Sequence, residues 1–267
     1  MSSTTQEPKE YKSLLIRGNT ESSPFSRALF IILRSIDLPI QYSILSSNSL
    51  GVHGQSLIHV LGGTPVRVTS ATDTPRLILL AMTLAAFAKQ IYWVLAVSMT
   101  PVTPKTSGLI SLFNLSCNTA NTVLFVNAAT SVLTSNSATR SRDETNHLPI
   151  QMIVGLAFFV LGLAVEWVSE IQRTRFKTEP RNGGQIYTKG LFAYTRHINY
   201  TGYVLWRSGF ATAAAGWGWG LFVGSAFTYD FLTRGIPELD QYCERKYGEG
   251  WAQYKKVVPY KLFPFIV

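Results

Sequence analysis

Charge is scarce in this chain: of its 267 residues only 15% are Asp, Glu, Lys or Arg, while 46% are hydrophobic. A soluble domain carries about a quarter of its residues charged, so the deficit argues against a fold surrounded by water on all sides. Cysteine is rarer still. Cys117 lies in an apolar run and Cys243 in a charged tail, so no disulfide framework is expected and both are read as free thiols. The four histidines, His53, His59, His147 and His197, lack the spacing of metal ligands, and no metal is expected. No GxGxxG, P-loop, paired-cysteine zinc motif or GxSxG elbow occurs. A Rossmann domain therefore cannot hold a dinucleotide here. The opening MSSTTQEPKEYKSLL also lacks the charged, apolar, small-residue order of a cleaved signal, so the first membrane helix is expected to direct insertion.

What the chain does have is apolar runs. Residues 1–24 are polar and read as a disordered tail. Residues 25–149 read as N-terminal transmembrane helices and 150–267 as a C-terminal core. From Phe25 to Leu45 an apolar stretch is interrupted by Arg34, Asp37 and Pro39, which fits a kinked span with its charges turned inward or an amphipathic surface helix. Clear spans follow over 75–100, 107–133 and 148–171, each long enough to cross about 30 Å of hydrocarbon. The second is dotted with Asn114, Asn118, Asn121 and Asn127, and the third ends with Glu166 and Glu170 one turn apart. The fold class expected is an all-α, polytopic membrane bundle.

The net charge of +9 does not call for nucleic acid, because the cations sit beside apolar segments. The 171–199 segment carries Arg173, Arg175, Lys177, Arg181, Lys189 and Arg196, and the 234–261 segment Arg234, Arg245, Lys246, Lys255, Lys256 and Lys261. Positive loops stay in the cytosol and face anionic lipid, so both segments are placed there. The apolar run 200–231 must then leave and return on one side. Sixteen residues per arm give only about 24 Å, too short for a full crossing, so a helical hairpin turning at AGWGWG (215–220) is predicted. The 135–147 loop then falls on the lumenal side.

Polar residues at membrane depth need partners. Lys89 reads as snorkelling or paired with an acid such as Asp37. Glu166 and Glu170 share a helix face, where two like charges cost energy unless cations such as Arg173 or Arg207, or a ligand, meet them. Taken alone, Arg196, His197, Asn199 and Tyr200 in TRHINYTGY (195–203) read as interfacial anchors and helix caps.

GLFAYTRHINYTGY (190–203) resembles the Arg-His-x-Asn-Tyr-x-Gly element of integral-membrane sterol reductases and the broad steroid 5α-reductase-like family. The ending CERKYGEGWAQYKKVVPYKLFPFIV resembles the sterol-reductase C-terminus, and VEWVSEIQRTRFK (165–177) the stretch that precedes that core. The resemblance implies a C-terminal core on the cytosolic face of the endoplasmic reticulum membrane, taking NADPH from the cytosol and reducing a carbon–carbon double bond in a steroid- or terpenoid-like lipid. On that reading Gln172, Lys177, Arg196, His197, Asn199, Tyr200, Tyr247 and Tyr254 bind cofactor, and Tyr200, Asp240 and Glu166 serve catalysis. Arg196 would suit a phosphate through its planar fork. The partners implied are a lipophilic small molecule and membrane lipid.

Two departures bear on the chemistry. Arg234-Gly-Ile-Pro-Glu-Leu-Asp240 replaces the sterol-reductase His-Arg-x-x-Arg-Asp, and Tyr203 stands where related chains carry Asp or Glu. Isoprenylcysteine carboxyl methyltransferases share the architecture, but Ile198 replaces their Pro and Leu239 breaks their Glu-Glu pair. A third reading is a scaffold that binds sterol without turnover. The orientation carries its own test: protease added outside sealed microsomes clips the 172–199 loop and the C-terminal tail, and protection of both refutes it.

Overall fold

The computed structural model describes residues 23–46, 52–67, 70–134 and 148–266. The expected 1–24 tail lies outside these residues except for its last two, as does the 135–147 loop. In chain order the helices are α1 (Pro24–Ser35), α2 (Asp37–Leu45), α3 (Val52–Val60), α4 (Ser70–Tyr92), α5 (Pro104–Val126), α6 (Ile150–Thr178), α7 (Ile198–Asp230), α8 (Ile236–Tyr247) and α9 (Glu249–Val257). Wider π-helical turns extend α4 over Trp93–Val97 and join α7 to α8 over Phe231–Gly235. No strand forms among the described residues; one isolated bridge pairs Pro65 with Asn127.

Four stretches are long and apolar enough to cross a bilayer: Pro24–Leu45, Asp73–Val97, Pro104–Val126 and Ile150–Thr178. Exposed Leu84, Leu112 and Val160 on three of them belong to a lipid-facing surface. Proline and hydroxyl residues set the starts. Pro24 and Pro104 occupy first-turn positions that need no amide donor, and the Thr103 hydroxyl caps α5 by accepting from Thr106 N at 3.1 Å.

The first span is the kinked alternative, broken at Ile36, with Arg34 and Asp37 fully buried. Arg34 Nη1 donates to Asp37 Oδ2 at 3.0 Å, and Asp37 also accepts from Asn118 (2.6 Å) and Gln41 (2.8 Å). Thr122 donates to Gln41 Oε1 at 2.6 Å, and Asn121 accepts from the Trp219 indole at 2.8 Å. The asparagines of α5 are thus the counterparts of polar groups on neighbouring helices. Lipid offers none, so each buried polar group must find its partner inside the bundle.

The run 198–230 folds as the expected hairpin. Helical geometry fails at Ala215 and at Gly216, whose φ of 78° a side chain would strain. The arms then run antiparallel, with the Tyr200 ring 4.3 Å from that of Phe231 and the Tyr203 ring 5.3 Å from that of Phe227. At this far end Val132 N donates to Ala214 O at 3.1 Å, which ties the α5–α6 connection to the turn.

Helices α6 and α7 meet at backbone distance. Gly155 and Gly162 on α6 face Gly209 and Gly202 on α7, each pair spaced seven residues apart. A Cβ on Gly162 would lie 2.4 Å from Trp206 N, and one on Gly202 would lie 2.5 Å from Glu166 N. Small residues at such contacts drive helix association where lipid removes the hydrophobic term. One apolar cluster then joins both halves of the chain, from Leu79 and Phe125 to Phe159, Trp206 and Phe210.

Lys89 does not pair with Asp37. It bonds Glu166 and lies 3.1 Å from Glu170, and these three side chains are almost completely buried. Neither Arg173 nor Arg207 forms an ion pair with the two acids. Asp37 is taken by Arg34, so Lys89 finds its counter-charge across the α4–α6 contact.

Two outcomes follow. Gly162→Leu overpacks the α6–α7 seam and lowers the detergent-measured Tm by about 10 °C, from roughly 3 kcal/mol lost, whereas Gly108→Leu, in open space, leaves it unchanged. Lys89→Met strands two buried carboxylates and costs about 3–5 kcal/mol in thermal unfolding, much of it recovered in the double variant with Glu166→Gln.

Candidate functional site

The two motifs quoted at either end of the core meet through their main chains. Arg196 N donates to Tyr260 O and His197 N to Lys261 O, both at 3.1 Å. Thr195 Oγ1 donates to Tyr260 O at 3.0 Å, and the Thr201 hydroxyl bonds the Leu262 carbonyl. The Arg196 guanidinium does the same work: Nη1 donates to Val258 O (2.7 Å) and Pro259 O (2.9 Å). Tyr254 donates to Phe192 O at 2.6 Å. The C-terminal tail is thus clasped to the start of α7.

Beneath the clasp lies a cavity of about 780 Å³, within the range of small-molecule sites. One end is apolar, lined by Phe30 and Trp93 and by Ile110, Phe113 and Phe227. The other is polar and lies among the C-terminal half of α6, the Gly183–Gly184 turn and helices α8 and α9. Six cations line the cavity, Lys89, Arg173, Lys177, Arg196, Arg234 and Lys246, against three carboxylates, Glu166, Glu170 and Asp230. A pocket with such an excess attracts anions.

Of the residues expected at the site, Glu166, Lys177, Arg196, His197, Asn199, Tyr200, Tyr247 and Tyr254 line this cavity. Gln172 does not; its Oε1 accepts from Leu191 N at 3.0 Å and holds the 180–195 loop against α6. Asp240 stands behind His197, 3.4 Å from Nε2. Glu166 has both oxygens occupied, one by Lys89 and the other by the Trp206 indole at 2.6 Å. Lys177 donates to Tyr247 OH at 2.6 Å and to Gln185 O at 2.7 Å. Tyr200 is stacked between His197 and Phe231, with ring centroids 5.6 and 4.3 Å away.

Burial lowers the His197 pKa, partly opposed by Asp240, so this imidazole is neutral at neutral pH. Burial raises the phenols of Tyr247 and Tyr254, which keeps both as hydrogen-bonding hydroxyls. Five buried polar atoms of lining residues have no hydrogen-bond partner among the described residues; Glu170 Oε2 and His197 Nε2 still face a charged group, Lys89 and Asp240, whereas Asn199 Oδ1, Arg196 Nε and Trp251 Nε1 do not. Buried groups of this kind are rarely left unmatched, so an acceptor and two donors await a ligand. Such a set suits the amide, hydroxyl and phosphate groups of a nucleotide.

Arg173, Lys246, Trp251 and the Gly183–Gly184 turn were not expected as site residues. Arg173 was visible as part of a basic segment and as a counter-charge for Glu166 and Glu170, Lys246 only as part of a basic segment, and Trp251 only as part of a terminal motif. Their convergence depends on how the 180–195 loop and α8–α9 fold over α6.

A family described as a protein of unknown function, DUF1295, matches residues 110–258, more than half of the chain. The "Probable O-methyltransferase ustE" of Ustilaginoidea virens is 36% identical over 90% of this chain and 85% of its own length. The Delta(14)-sterol reductase of Methylotuvimicrobium alcaliphilum is 30% identical over 46% of this chain, and that of Candida albicans is 27% identical over 43%. The chain spans only about a third of those reductases' lengths, 32% and 27%. With the family model covering residues 110–258 and these relatives beside it, the chain belongs to the DUF1295 family, within the steroid 5α-reductase-like and sterol reductase superfamily.

Proposed function

We propose that this chain is a membrane-embedded reductase that takes NADPH at the cationic end of the cavity and reduces a carbon–carbon double bond of a lipophilic, steroid- or terpenoid-like substrate held at the apolar end. The observation that carries the reading is the excess of cations at a cavity that continues into an apolar compartment. A phosphorylated dinucleotide carries several negative charges, and cationic side chains bind them through charge-assisted hydrogen bonds. Arg173, Lys177 and Lys246 are assigned to the phosphates, and the unmatched atoms of Asn199, Arg196 and Trp251 to the ribose and nicotinamide. When bound, the cofactor supplies hydride, and the chain's own task is positioning.

On this reading residues 150–267 are the catalytic core. Arg196 acts as a clasp for the tail that also turns its Nε into the cavity. Tyr200, stacked on neutral His197 with Asp240 behind, is the proton donor, and Asp240 works by holding that imidazole. Glu166 sets the electrostatics at the junction of the two compartments. The core faces the cytosol from the endoplasmic reticulum membrane, and the substrate enters from the bilayer.

The relative bearing an O-methyltransferase name over most of its length favours a second reading, a donor site for S-adenosylmethionine. The two differ in sign of charge. A sulfonium is repelled by the cationic lining that attracts a pyrophosphate.

Thermal shift in detergent separates them. NADPH at 100 Kd raises Tm by about 5–10 °C, from roughly 2.7 kcal/mol, and Arg173→Gln weakens its binding at least tenfold. Stabilisation by S-adenosylmethionine without NADPH overturns the reductase in favour of the methyltransferase, and no response to either compound favours a non-catalytic binder.

A further inference from the structure

Along α7, Asn199, Tyr203 and Arg207 follow one another at four-residue spacing, and the first two line the cavity. Arg207 is 2% exposed and forms no ion pair among the described residues. Its Nε donates to Tyr203 OH at 3.1 Å, its Nη2 bonds Asn114 Oδ1, and its Nη1 has no partner. The guanidinium lies over the Trp206 ring at 4.2 Å and over that of Tyr203 at 5.2 Å. Arg207 is therefore a buried cation balanced by aromatic faces and amide oxygen instead of a carboxylate.

Tyr203 lines the cavity among Phe227, Phe231 and Trp206, with ring centroids 5.3, 5.6 and 5.2 Å away. Its oxygen accepts from Arg207, so its own hydrogen is still to be donated, and no acceptor takes it among the described residues. A phenol whose oxygen already receives a bond from a cation is a stronger donor through its O–H. The ring that carries this donor is packed by the aromatic faces and edges of Trp206, Phe227 and Phe231.

We propose that Tyr203, backed by Arg207, is the recognition site for an acceptor oxygen on the lipophilic ligand, a ketone carbonyl within the apolar compartment. Tyr203 touches the ligand, and Arg207 is a positioning residue that directs and strengthens the phenolic donor. Neutral oxygen fits better than carboxylate, because Glu166 accepts from the Trp206 indole beneath the same guanidinium. The proposal deepens the reading of the cavity as a lipid site but does not depend on which cofactor the cationic end holds.

The test uses the full chain in nanodiscs with a set of steroid and terpenoid ketones, carbonyl-labelled with ¹³C, each paired with its deoxo counterpart. Ketones bind about tenfold more tightly than their counterparts, and the labelled C=O stretch moves to lower frequency on binding. Tyr203→Phe removes both the preference and the frequency shift while leaving deoxo affinity unchanged. The proposal is overturned if no ketone outbinds its counterpart, if Tyr203→Phe keeps the shift, or if that variant loses both ligands alike. Thermal shift with NADPH on the same preparations reports separately, so failure of the reductase reading and failure of this site are distinguishable.

Discussion

The seam between α6 and α7 determines everything the cavity contains. Because glycines face each other at two points, Gly155 with Gly209 and Gly162 with Gly202, the two backbones lie in direct contact and Trp206 is carried against Glu166. Its indole N–H donates to that carboxylate while its face receives the Arg207 guanidinium. One aromatic residue thus separates a surplus acid from a surplus cation. Any side chain larger than glycine along the seam would force the helices apart and dissolve that arrangement.

The membrane-depth charges balance as a set even though they do not all pair. Arg34 meets Asp37, Lys89 meets two glutamates, and Arg207 meets none. The last imbalance offsets the one before it, across the width of a tryptophan. Such a distribution costs more than neat pairs in a low-dielectric interior. It is sustained because Gln90 links the groups by accepting from Arg34 and donating to Asn114, both at 2.6 Å. The network therefore runs from the first span through α4 and α5 to α7, and the N-terminal bundle forms one wall of the site.

Much of the fold was legible in the chain. The spans follow from apolar length, and the hairpin follows from a run too short to cross twice, with Gly216 at its turn. The two terminal motifs meet through main-chain hydrogen bonds. Their roles were less legible. Arg196 looked like a phosphate ligand because a guanidinium beside a helix start suits one, yet two carbonyls of the tail use one of its nitrogens. Gln172 and Asp240 belong behind the lining and not on it. Lys89 does pair with acids, but with Glu166 and Glu170 in place of the Asp37 named from sequence, because these acids are equally plausible when read along a line.

Composition and periodicity alone determined that this is a polytopic helical membrane protein with a basic core near its C-terminus, since transfer from water to hydrocarbon depends on local residue content. Which charges meet, which hydroxyl is left with a hydrogen to donate, and which cations converge on one cavity were decided only by tertiary structure. These depend on contacts between residues tens of positions apart, and a seven-residue spacing of glycines acquires meaning only when a second helix presents the same spacing to it.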